Sequence, residues 1–207
     1  VTLDDLSSGY NIDWNISTDS RFNAMMGFSE TEVREMFRYY QENDALPGDI
    51  EAMIAEMKPW YDNYCFARMS LGDDRVFNCD MTLYYLRSQF DFHRSPEEMV
   101  DKNIRTDYSK LKMLARIDHD SAHEGSRMST IEEIATKGEI LVNLHTSFPA
   151  ERVADVDNFR SLLYYYGLLT MCGTRGDRLR MCIPNHCVRE QYFGFLREYY
   201  QQAHPLD

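Results

Sequence analysis

Gly167-Leu168-Leu169-Thr170-Met171-Cys172-Gly173-Thr174-Arg175-Gly176-Asp177-Arg178-Leu179-Arg180-Met181-Cys182-Ile183-Pro184-Asn185 is the stretch whose reading decides the fold. Gly167 stops a helix that Asp157 caps and that runs through Tyr166. Leu168 to Cys172 is strand-like, and Gly173 to Asp177 is turn chemistry. Leu179, Met181 and Ile183 then alternate with polar residues, as a half-buried strand does. Beyond Pro184, Asn185 caps a last helix in which Val188, Tyr192, Phe195, Leu196 and Tyr199 share one face. Helix, β-hairpin and helix in that order predict a winged-helix-like module over residues 149–207.

Upstream the pattern is helical. Ser29 and Glu32 form a capping box, with Phe28 and Val33 placed as a hydrophobic staple. Val33, Met36, Phe37 and Tyr40 continue as one apolar stripe. Asp49 caps a second helix that buries Ile50, Met53, Ile54 and Met57, and Pro59 is expected to end or kink it. Asn63 is suited to a left-handed backbone after it. Asp80 is expected to cap a third helix through Phe90, and Ser95-Pro96-Glu97-Glu98 to start another. A further helix is predicted over Asp107 to Ile117, a polar loop over Asp118 to Arg127, and a capping box at Thr130 and Glu133 before the stop at Gly138. The expected fold is mainly α, with one small β-hairpin. Residues 1–27 form a loop-rich leader, 28–148 a helical bundle and 149–207 the winged unit.

Composition narrows the function. Twenty-two basic against thirty-four acidic side chains give a formal charge of −12, a field that repels phosphate backbones and anionic membranes. The longest apolar run, Leu162 to Cys172, is broken by Gly167 and too short to cross a bilayer. Five cysteines without a C-x-x-C pair are read as reduced thiols of a cytoplasmic protein, without disulfide or zinc. No phosphate-binding G-x-x-x-x-G-K-[ST], G-x-G-x-x-G, G-x-S-x-G or H-E-x-x-H is present. No residue is therefore assigned a catalytic or metal-ligating role. His119 and His123 have ligand spacing but lie in polar, glycine-bearing sequence that reads as a solvated loop. Asp4-Asp5 and Glu132-Glu133 are sequence neighbours, which do not face one another on a helix. Twelve methionines and many aromatics fall at core spacing, and Trp60, Tyr61 and Tyr64 are read as packing rather than as an exposed patch.

One basic island remains. Arg175, Arg178 and Arg180, with Arg189 beyond, mark the hairpin where a wing contacts phosphates. The helix before it carries Phe159, Leu162, Leu163, Tyr164, Tyr165 and Tyr166, leaving Arg160 and Ser161 to read bases. Nucleic-acid binding is thus the second reading, behind protein or intramolecular docking.

Several stretches together carry a resemblance. They are Thr2 to Ile12, Gly27-Phe28-Ser29, Trp60-Tyr61-Asp62-Asn63-Tyr64 with Phe66, and Asn103 to Tyr108. Val33 to Met36, Phe77-Asn78, Asp80-Met81, Tyr84-Tyr85-Leu86, Leu162 to Tyr165, Gly167 to Thr170 and Ile183-Pro184-Asn185 complete them. In order and over essentially the whole chain they resemble the AAA-ATPase-like family of anaerobic, Bacteroides-type bacteria. Pro59 and Asn63 depart from its W-Y-D-G-Y signature region, where a helix former and a glycine are usual. The resemblance implies a P-loop ATPase core before this region, helices forming a lid over nucleotide, a winged-helix-like segment and often a PD-(D/E)xK nuclease-like domain after it. Residues 1–27 would be the remnant of the core, and the start at Val1 fits a segment of a longer protein. The implied role is non-catalytic coupling of nucleotide state to a partner or nuclease-like domain, with ATP and Mg²⁺ bound by the parent protein. No lid residue is assigned a nucleotide contact; Arg34 and Arg38 lie on the helix face opposite the core stripe. The remaining alternative is a stand-alone helical interaction domain.

Overall fold

The structure is a computed structural model that describes residues 16–43, 45–73, 75–101, 111–112, 114, 124–149, 152–153 and 155–203. Among these the fold is mainly α. Six helices are α1 (Glu30–Glu42), α2 (Ile50–Tyr61), α3 (Cys79–Phe92), α4 (Glu124–Lys137), α5 (Val156–Tyr165) and α6 (His186–Ala203). Two short strands, β1 (Phe28–Ser29) and β2 (Val76–Phe77), form an antiparallel ribbon. Three more, β3 (Glu139–Val142), β4 (Thr170–Arg175) and β5 (Arg178–Cys182), make an antiparallel sheet in the order β3-β5-β4. The expected hairpin is therefore two-thirds of a sheet. Its third strand comes from Glu139-Ile140-Leu141-Val142, on the other side of the boundary set at residue 148.

Local chemistry fixes most helix ends. The capping box is complete: the Ser29 hydroxyl accepts from Glu32 N–H, and the Glu32 carboxylate accepts from Ser29 N–H at 2.7 Å. Asp49 caps α2 as expected. Gly138 and Gly167 take positive φ after α4 and α5. Asn63 has φ +91°, the left-handed backbone expected of it.

Several expectations are corrected. Pro59 neither ends nor visibly interrupts α2, which continues to Tyr61. A proline in the last turn forfeits one hydrogen bond, while Tyr61 is fully buried and donates its hydroxyl to Met99 O at 2.7 Å. Asn78, not Asp80, caps α3, which runs to Phe92. No helix starts at Ser95 within the described residues, because its hydroxyl donates instead to the Glu56 carboxylate at 2.5 Å. Thr130 is a buried residue inside α4 rather than a cap, and Arg127 is helical and buried over the Phe159 ring. Asp155 precedes α5 in place of Asp157, and Tyr199 on α6 is exposed. The hairpin turn narrows to Gly176-Asp177, with Gly176 at φ +62°, as the first position of a type II′ turn requires. Leu111 and Leu114 are buried as predicted. The remainder of that segment, the leader through residue 15, His119 and His123 lie outside the described residues.

Two cores share one wall. The helix-side core gathers Val33, Phe37, Ile54, Met57, Tyr61, Phe77 and Tyr85, and the sheet-side core Val76, Ile131, Ile140, Leu163, Met181 and Tyr192. Adjacent residues of β2 thus enter different cores, because side chains alternate across a strand. Gly27 packs against this strand so closely that a Cβ would lie 2.6 Å from Val76 Cγ2 and 2.8 Å from Phe77 O. Backbone cannot yield as a side-chain tip does. Gly27→Ala is expected to lower stability by about 1–3 kcal/mol, read as a reduced urea midpoint. An unchanged midpoint would show that β1 does not depend on this contact.

Candidate functional site

The three hairpin arginines divide into two kinds. Arg175 and Arg178 are exposed and face each other across the turn, an arrangement of like charges that costs stability unless an anion intervenes. Arg180 is committed instead: its Nη2 lies 2.6 Å from Glu139 Oε2 on β3. That hydrogen bond raises the Arg180 pKa further. In the preceding helix Arg160 and Ser161, the two residues left to read bases, are both engaged within the fold. Ser161 is fully buried, donating to Asp157 O at 2.7 Å and accepting from His145 N–H at 3.0 Å. Arg160 Nη1 donates to Leu141 O at 3.3 Å, and its Nη2 lies 3.7 Å from Glu133.

A β-bulge beside these arginines makes a feature that sequence reasoning missed. Counting back from the two-residue turn in unbroken register places Cys172 opposite Met181, on the core face. The observed register instead pairs Met171 with Met181 and Gly173 with Arg180, so Cys172 is the extra residue. Released from the ladder, it joins Cys182 on the outer face, where the two thiols interact. Cys172 Sγ also donates to Arg180 O at 3.4 Å. The neighbouring Cys182 thiol, aided by the Arg180 and Arg75 guanidiniums, lowers the Cys172 pKa against burial and Glu139. The Cys172 thiol, with burial, raises that of Cys182. Both cysteines were legible as residues; their shared face depended on the bulge.

A groove of about 700 Å³ lies among the segment before β1, the end of α5 and α6. Tyr64, Phe66, Tyr164 and Tyr165 supply its aromatic wall, and Met25 and Met26 stand at its rim, 65% and 71% exposed. The Asn23 side chain anchors the rim segment by accepting Phe66 N–H at 2.8 Å and Ala67 N–H at 3.0 Å. Burial pushes the phenols of Tyr64 and Tyr165 up to about 12, so they stay neutral at physiological pH. Such a groove can hold an apolar or aromatic group; these phenols are not proton carriers.

The other sequence candidates have structural partners. Trp60 stacks edge-on against His186, while Tyr61 and Tyr64 are buried. Arg34 is clamped between Glu30 at 2.7 Å and Glu51 at 2.6 Å, and Arg38 is exposed. Glu133 pairs with Lys137 at 2.8 Å, and Glu132 accepts from the Tyr200 hydroxyl. Among the described residues no group of three or more His, Cys, Asp or Glu is placed to hold a metal ion, and no helix is long and apolar enough to cross a membrane. Comparisons with models of protein families, with curated proteins and with solved structures give no significant match to this chain.

Proposed function

We propose that this chain is the non-catalytic coupling segment of a P-loop ATPase-like protein, joining lid helices to a winged-helix-like unit. The observation that carries the proposal is the wall shared by its two cores. Tyr64 and Val76 exchange backbone hydrogen bonds at 3.3 and 3.1 Å, and Met171 N–H donates to Cys65 O at 3.3 Å. Arg75 reaches Met171 O at 2.8 Å. A lid transmits nucleotide state by moving as a body, and a continuous hydrogen-bonded seam turns helix displacement into sheet displacement. The order α4-β3-α5-β4-β5-α6, with β5 central, supports the winged-helix-like reading.

ATP and Mg²⁺ in this proposal are bound by the parent protein. The gene on either side of the sequence provides the first test, through a phosphate-binding loop upstream. Calorimetry provides the second: MgATP should bind the longer protein and leave this chain without measurable heat. Micromolar binding by the chain alone overturns the assignment.

Nucleic-acid binding is the weaker reading, because α5 is buried and Arg180 is paired. A low-salt gel shift with duplex DNA is expected to show no saturable complex. A saturable complex abolished by Arg175→Ala with Arg178→Ala would reverse this order.

A further inference from the structure

The hairpin carries a second chemistry, independent of the coupling role. We propose that Cys172 and Cys182 form a reversible oxidative modification site, in which Cys172 is the attacked thiol, Cys182 the resolving thiol, and the product a disulfide between β4 and β5. Three observations converge. The bulge between Met171 and Gly173 turns Cys172 out of the core and onto the face of Cys182. The two residues share the outer face of neighbouring strands, where their thiols interact, and both are partly exposed. Two guanidiniums, Arg180 on β5 and Arg75 before β2, act on this pair and favour a thiolate.

The charged surroundings select the ligand class. The carboxylate that acts on the pair, Glu139 on β3, is held by Arg180 at 2.6 Å. Two arginines beside two thiols disfavour a soft metal cation and suit a thiolate that meets a neutral electrophile such as hydrogen peroxide. The Cys172 thiolate attacks one peroxide oxygen. The O–O bond breaks, hydroxide leaves and takes a proton to become water, and Cys172 becomes a sulfenic acid. The Cys182 sulfur then attacks the Cys172 sulfur. The S–O bond breaks, and the departing hydroxide takes the Cys182 proton as a second water. Two thiols lose two electrons and two protons, and the peroxide is reduced to water.

The division of labour follows from position. Cys172 is the residue freed by the bulge and faced by Arg180, while Cys182 remains in the ladder opposite Thr170 and Glu139. Closing the disulfide removes the Cys172 contact to Arg180 O and staples the strands below the tip that carries Arg175 and Arg178.

The test treats the whole chain with equimolar hydrogen peroxide and maps its thiols by mass spectrometry. A Cys172–Cys182 cross-linked peptide lacking two hydrogens and restored by dithiothreitol is expected, with partly exposed Cys79 still reduced. In Cys182→Ser, Cys172 should accumulate as a sulfenic acid captured by dimedone. A second measurement needs no variant: at neutral pH iodoacetamide should label Cys172 roughly tenfold faster than Cys79, whose pKa burial raises. Equal labelling of the two, or oxidation that leaves Cys172 and Cys182 unlinked, overturns the proposal.

Discussion

Phe77→Ala is expected to destabilise the chain by about 3–5 kcal/mol, the range for truncating a buried phenylalanine. Phe77 is 0% exposed and enters the helix-side core, while its neighbour Val76 enters the sheet-side core. Removing the ring therefore loosens the helices from one side of β2 and strains the strand that the sheet uses from the other. For a chain of this size the loss corresponds to a fall in Tm on the order of 10 °C. The transition is expected to stay single when followed by far-ultraviolet circular dichroism and by tyrosine and tryptophan fluorescence. Two separated transitions in the variant would show that the cores unfold independently and would remove the mechanical basis for coupling.

Asn185→Ala should cost about 2–4 kcal/mol, because one side chain performs two tasks. Its Oδ1 accepts Val188 N–H at 3.1 Å and caps α6, a task worth about 1 kcal/mol. Its Nδ2 donates to Asp62 O at 3.0 Å, and a buried carbonyl left without a donor costs about 1–3 kcal/mol. Asp62 directly follows α2, so the bond ties the exit of α2 to the start of the last helix. Asn185→Asp separates the tasks: its carboxylate still caps α6 but cannot donate to Asp62 O. Its denaturation midpoint should fall between those of the unsubstituted chain and Asn185→Ala. A midpoint equal to that of the unsubstituted chain would mean that the long-range bond contributes nothing.

These two residues are instructive about what a sequence reveals. Asn185 was identified as a cap from its place between Pro184 and an amphipathic run, and it is one. Its reach to Asp62 was not legible, since nothing local couples positions so distant in the chain. The hairpin arginines are equally legible as a basic cluster. The Arg180–Glu139 pair was not, because it required knowing that residues 139–142 form a strand and that this strand lies beside β5. Thr130 shows the converse: a capping-box pattern occurs inside a helix whose buried face includes Thr130, Ile131 and Ile134. There packing outweighs the local signal.

The sequence by itself determined the mainly helical character, the caps at Ser29, Asp49 and Asn185, the stops at Gly138 and Gly167, and the alternation of β5. Each is settled by groups within a few residues of one another, where hydrogen-bond reach and backbone preference suffice. Tertiary structure decided the third strand of the sheet, the wall that β2 gives to two cores, and the bulge that turns Cys172 outward. Those depend on which distant backbone groups pair and which side chains then fill the space between. A strand's register, unlike a helix's hydrogen bonds, is completed by a partner elsewhere in the chain.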